Sequence, residues 1–146
     1  MARDTENTAI VEKYKQIHGR FAYLWHRNKN SRTMDKKIET YQNIITGILK
    51  DYADSFNQSP KSIEAKFVFD YERHSFQVLN VGWRNGEYYF YVVFHLDIKN
   101  NKVWLNENRT DILIAQTLVE HGIPKNDIVL GLQSPETRVS SGYAVA

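Results

Sequence analysis

The sequence predicts an α+β domain: an N-terminal amphipathic helix, a four-stranded antiparallel meander and a C-terminal helix, with the helices on one face of the sheet. Three observations carry this. Apolar residues recur at helical spacing after Met34; four strand-like runs follow, joined by turns too short for crossovers; helical spacing then returns and stops at Gly122 and Pro124.

In "MDKKIETYQNIITGILKDYADSF" the apolar residues fall at 38, 41, 45, 48 and 52, and at 44, 49 and 56. That is the stripe of an amphipathic helix, with Asp, Glu and Lys opposite. Asp35 is placed to cap it or to favour its positive end, and Asn57 to Pro60 ends it. "SIEAKFVFD" alternates cleanly, and the polar turn "YERH" separates it from "SFQVLNVGW". Asn85-Gly86 is the strongest hairpin signal, since both residues tolerate the positive φ of a tight turn. The longest run, "EYYFYVVFHLDI", places Tyr88, Phe90, Val92, Phe94, Leu96 and Ile98 at even positions, which predicts the even face inside. "KVWLNEN" follows a turn at Asn100-Asn101, and loops this short require antiparallel neighbours. "RTDILIAQTLVEHGIP" predicts a helix with Thr110 as N-cap, Asp111 in the first turn and Gly122 as the stop. "PKNDIVLGL" predicts one more short turn with Pro124 at its first position, and the tail is irregular with an apolar end at Tyr143, Ala144 and Val145.

Upstream, the spacing over 10–24 predicts a short helix interrupted by Gly19, joined to the domain by the polar stretch 28–37. Residues 1–33 hold seven Lys/Arg against three Asp/Glu, which leaves 12 basic and 14 acidic residues in 34–146. The pI near 8.7 therefore comes from the first quarter, and the body lacks the clustered basic face that captures a phosphate backbone. Hydrophobic residues at 42% and charged at 25% make an ordinary globular composition, and the absence of cysteine excludes disulfides and thiol chemistry. No secretory layout and no apolar run of membrane length is present, so the expected location is cytoplasmic with no membrane contact.

The stretch "VVFHLDIKNNKVW" sets His95, Asp97 and Lys99 on one side of a strand. A metal needs three or four converging ligands; His74 sits in a turn and His121 near a helix end, so the predicted metal set is none. A nuclease-like reading takes Asp97 and Lys99 as an Asp-x-Lys pair with Asp70 as the earlier acid, holding Mg²⁺ and a water. Such strings are common by chance, and a His–Asp pair flanking a strand end is preferred. Ser75, Ser140 and Ser141 lack an elbow motif, and the glycines at 47, 82, 86, 122, 131 and 142 are too scattered for a phosphate loop. Aromatics are the remaining signal: Tyr89, Tyr91 and Trp104, with His95, are predicted on the outer sheet face as a partner-binding surface. The competing reading has the C-terminal segment or residues 1–33 covering them.

"MDKKIETYQNIITGILKDYA", "FDYERHSFQVLNVGW", "HLDIKNNKVW", "IAQTLVEHGIPKNDIVLG" and the ending "GYAVA" together resemble the XisI family over residues 34–146. Its members are called excision controlling factors for the fdxN element of cyanobacteria. The resemblance implies a non-enzymatic accessory role in programmed DNA excision, in which a separate recombinase cuts and rejoins. It implies an XisH-like protein partner and indirect association with DNA, and it offers no catalytic residues to carry over; no cofactor is expected. A homo-oligomer competes for the same exposed face. The alternatives are a metal-dependent hydrolase using Asp70, Asp97 and Lys99, or a directly DNA-binding accessory. Residues 1–33 depart from the family pattern, which begins near Met34, and read as an N-terminal extension that need not be native.

Overall fold

The structure, a computed structural model, describes residues 32–59 and 61–146. The helix expected over 10–24 and the extension 1–33, up to residue 31, lie outside the described residues. The described part falls mainly in one compact unit, Lys36–Ala146.

Helix α1 spans Arg32–Asn57. Tyr41, Ile45, Leu49 and Ala53 form its buried line, each one turn after the last, and Ile38, Ile48, Tyr52 and Phe56 flank it. The helix starts ahead of Asp35, which is thus a first-turn residue rather than the N-cap. Asn57 closes it and does a second job. Its carboxamide donates to the Ala65 carbonyl at 2.8 Å and accepts the Ala65 N–H at 2.9 Å, as a neighbouring strand would.

Strands β1 (Ile63–Asp70), β2 (Ser75–Arg84), β3 (Glu87–Lys99) and β4 (Lys102–Asn108) form the expected meander. The two tight hairpins use left-handed residues: Asn85 and Gly86 at φ 55 and 79, Asn100 and Asn101 at φ 52 and 59. The β1–β2 turn is held by Asp70, whose carboxylate accepts the N–H groups of Glu72 and Arg73.

Three expectations are corrected. First, the sheet has five strands. β5 (Ile128–Val129) runs parallel to β4, pairing Val103 with Ile128 and Trp104 with Val129. Two residues are too few to show a period, and only the crossover through the next helix makes the parallel pairing possible. Second, that helix, α2, spans Ile114–Glu120 and has no side-chain cap. The Asn108 carboxamide binds Thr110 and the Ile112 carbonyl, while the Thr110 hydroxyl accepts the Ile112 N–H. These local bonds hold 110–113 as a turn, so Thr110 cannot cap. The far end is as expected: Gly122, at φ 105, donates to Val119 while Ile123 donates to Leu118, a Schellman closure with Ile123 buried.

Third, β3 does not keep one phase. Val78 pairs with Phe94 but Leu79 pairs with Val92, so Val93 is an extra residue. Phe94, Leu96 and Ile98 are buried as expected, yet Tyr88 and Phe90, the even residues before the bulge, are 55% and 63% exposed. Tyr91 packs on the core instead. A second bulge sits at Asn106, since Leu96 pairs with Leu105 but His95 with Glu107. Bulges of this kind re-aim side chains. Lys125–Asp127 is the expected short turn, here 3-10, with Pro124 as the residue before it rather than at its first position, and the tail adds helix α3 (Pro135–Arg138), capped by Ser134. The core joins both longer helices to the sheet, with Phe76, Val78, Phe94, Leu96, Leu118 and Ile128 fully enclosed.

Candidate functional site

Beyond the Val93 bulge, the outer sheet face is polar. His95 and Asp97 are about a third exposed, with side chains at 31% and 32%. His95 Nε2 lies 3.2 Å from Asp97 Oδ1 and 3.4 Å from Ser75 Oγ, and Asn106 Nδ2 donates to Asp97 Oδ2 at 2.8 Å. A serine, a histidine and an aspartate thus meet, but both partners address the same imidazole nitrogen. A relay needs the carboxylate on one ring nitrogen and the hydroxyl on the other. When Nε2 carries a proton to bind Asp97, it has no lone pair left to take one from Ser75. The cluster is a hydrogen-bonded strut between β2, β3 and β4.

Asp70, Ser75 and Asp97 stand directly opposite one another across three strands. Two strand spacings put Asp70 and Asp97 roughly 10 Å apart, too far to share one ion. Asp70 is also committed locally: its second oxygen pairs with Arg73 at 2.9 Å, and the Arg73 backbone and side-chain bonds hold its carboxyl below the usual range. Lys99 lies over the Trp104 ring at 5.3 Å. Among the described residues, no group of three His, Asp or Glu side chains converges as a metal would require. His74 bonds Gln42 and His121 bonds the Thr117 carbonyl, so neither joins His95.

The aromatic residues divide differently from the expectation. Tyr91 faces the core side, where its hydroxyl accepts from Asn80 Nδ2 at 3.0 Å. Asn80 is the buried polar residue of the core, only 4% exposed. Tyr89 bonds Glu87 and lies under Arg84. Trp104 is half-buried, with Arg138 of the C-terminal segment over its ring at 5.2 Å, so the covering reading holds for this residue in part. His95 remains on the outer face.

On the outer face of β2 and β3 the exposed aromatics are Trp83, Tyr88 and Phe90, at 62%, 55% and 63%. Trp83 stands opposite Tyr88, with ring centroids 5.3 Å apart, and Val81 opposite Phe90. Leu79 and Val92, the next pair, are half-buried and extend the strip. An exposed apolar strip of paired residues costs solubility and marks a contact surface. The sequence offered one clue to it: two successive valines, Val92 and Val93, where alternation permits one.

Similarities to known proteins follow this architecture. The family model described as XisI protein matches residues 34–145. A XisI-like protein from Anabaena variabilis ATCC 29413 is 40% identical, covering 75% of this chain and 99% of its own, with a TM-score of 0.70. The fdxN element excision controlling factor XisI from the same organism is 30% identical over the same shares, with a TM-score of 0.67. No curated protein matches the chain.

Proposed function

The chain belongs to the XisI family, and from that premise we propose that it is a non-enzymatic controlling factor for excision of a DNA element, acting in the cytoplasm through a protein partner. The partner we assign is an XisH-like protein. The observation that supports this reading is the strip of Trp83, Tyr88 and Phe90, large apolar rings turned to solvent on a well-built sheet face. Tryptophan and tyrosine are the residues that anchor protein contacts when desolvated, each worth about 2 kcal/mol or more at the centre of an interface. We assign His95 to the polar rim of this contact. A described helix long and apolar enough to cross a membrane is lacking.

Co-expression with an XisH-family protein tests the reading. The full chain is expected to co-purify with it, and Phe90→Glu to lose it while keeping its circular dichroism. A complex that survives Phe90→Glu moves the interface elsewhere; no complex at all removes the partner. The competing hydrolase is read in the same preparation. Mg²⁺-dependent DNA cleavage that disappears in Asp97→Ala would overturn the non-enzymatic assignment.

A further inference from the structure

A different surface, the free edge of β1, has a pattern that fits one partner. β1 is the edge strand of the sheet and pairs only with β2. Along a regular antiparallel strand, alternate residues direct N–H and C=O to opposite sides. Because the Ala65 amide and carbonyl bond the Asn57 carboxamide, they point away from β2, and so must those of Phe67 and Phe69. Asn57 thus closes the edge at Ala65 and leaves a window from Lys66 to Asp70. Among the described residues, nothing bonds the outward groups of Phe67 and Phe69.

Apolar side chains are exposed at and beside this window. Val68 is 48% exposed, Phe69 47% and Tyr71 42%. Phe67, Phe69 and Tyr71 form a continuous run of ring contacts, with centroids 5.3 and 4.5 Å apart. Proteins ordinarily protect such an edge, because it is a template for another strand.

We propose that this edge binds a second copy of the chain, β1 against β1 antiparallel, about a two-fold axis at Val68. In that register Phe67 faces Phe69 of the second copy and exchanges both main-chain bonds with it, twice by symmetry. Lys66 faces Asp70, again twice, so each end of the window carries an opposite-charge pair. The register centred on Phe67 sets Glu64 against Asp70 and requires the Ala65 groups that Asn57 occupies. The register centred on Lys66 sets that lysine against itself. Of these three registers the Val68 axis alone satisfies both charge and free main-chain groups, and opposed like charges across strands are destabilising. Opposite Ala65 the second strand has already turned away at Tyr71, which leaves the Asn57 carboxamide its place. The two five-stranded sheets would join into one, and an isologous two-fold contact of this sort is the commonest assembly of soluble proteins.

Sedimentation of the full chain over a concentration series is the test, with circular dichroism on every variant. The wild type is expected to dimerise. Val68→Asp, which places two carboxylates on the axis, and Lys66→Glu, which opposes Asp70, should each raise the dissociation constant roughly tenfold or more. Asp70→Asn, which keeps the oxygen that closes the β1–β2 turn and removes only the charge facing Lys66, should weaken the dimer as well. A monomeric wild type overturns the proposal. So does a dimer indifferent to Val68→Asp, and a dimer broken by Phe90→Glu alone would place the contact on the outer face instead.

Discussion

Tyr41 and Asp127, 86 positions apart, are joined by a 2.5 Å hydrogen bond from phenol to carboxylate. Lys37, one turn before Tyr41, reaches the same oxygen at 2.8 Å. Through this clasp α1 holds the 3-10 turn that leads directly into β5, so the parallel strand is tied to the first helix by charge as well as by packing. Burial works against ionisation of Asp127, but the bonds from Lys37 and Tyr41 outweigh it and lower its pKa. Tyr41 moves the other way, raised by burial and by the carboxylate beside it.

Asp127→Asn is therefore expected to cost about 1–3 kcal/mol at neutral pH, the usual loss when a partly buried charged bond is broken. The sign with pH follows from the lowered value. Above the ordinary carboxylate range the folded and unfolded forms are both ionised, and the contribution is complete. As pH falls through the folded value, the carboxyl protonates and the contribution disappears. The gap between wild type and variant should then close in acid. Paired thermal melts from pH 7 to pH 3 check this; a gap that widens in acid contradicts the clasp.

The second prediction concerns the two faces of β3. Tyr91→Phe should lose about 1–3 kcal/mol, because it strips from the Asn80 amide its one partner among the described residues, where Asn80 Oδ1 has none. Tyr91→Glu should be worse, while Phe90→Glu, one residue away and exposed, should stay within about 0.5 kcal/mol of wild type. Denaturant melts of the three variants decide it. Equal losses at 90 and 91 would mean the bulge at Val93 is not where the phase changes.

That phase change explains how far the sequence could be read. The α1 stripe, the hairpin asparagines and the Gly122 stop are local signals, and each stands in the structure where the residues placed it. The face of Tyr88 to Val92 was not legible, because tyrosine suits either side of a sheet and a one-residue bulge reverses every side chain before it. Asn57 reads as a helix terminator, and nothing local says that its carboxamide will stand in for a strand at Ala65. The β5 pairing and the stacking of Arg138 on Trp104 act through contacts made far along the chain. The His95–Asp97 pair was legible, but not that Ser75 and Asp97 would compete for one nitrogen.

A third prediction lies at the start of β1. Gly82 sits opposite Ile63 at φ 151, and a Cβ there would stand 2.1 Å from the Ser62 carbonyl oxygen and 2.9 Å from the Ile63 Cα. Both obstacles are backbone, so no side chain can swing aside. The backbone strain alone is worth about 1–3 kcal/mol, and the clash adds to it by prising β1 from β2. Gly82→Ala should lower the melting midpoint strongly, whereas Gly47→Ala, in an open helical position, should leave it unchanged or raise it. Similar midpoints for the two would refute the close approach.

The last prediction is that Arg138 fastens the C-terminal segment and that lysine cannot replace it. Its Nε donates to the Leu130 and Gln133 carbonyls at 3.2 and 3.0 Å, and its terminal nitrogens reach the Gly131 and Val145 carbonyls at 3.4 Å. The same plane covers Trp104 on β4. One flat, forked cation therefore gathers the 130–133 loop and the chain end, and lays both against the sheet. An ammonium has the charge but not the fork, so it can serve one or two of these carbonyls and cannot stack on the indole. Arg138→Ala should cost about 1.5–3 kcal/mol, and Arg138→Lys should recover little of it. Amide exchange separates this from a general loss of charge. Gly131 and Leu132 should lose protection in both variants, while the β2–β3 ladder, which Arg138 does not touch, should keep its rates. Full rescue by lysine would show that charge near the chain end, rather than the geometry of the guanidinium, holds the segment down.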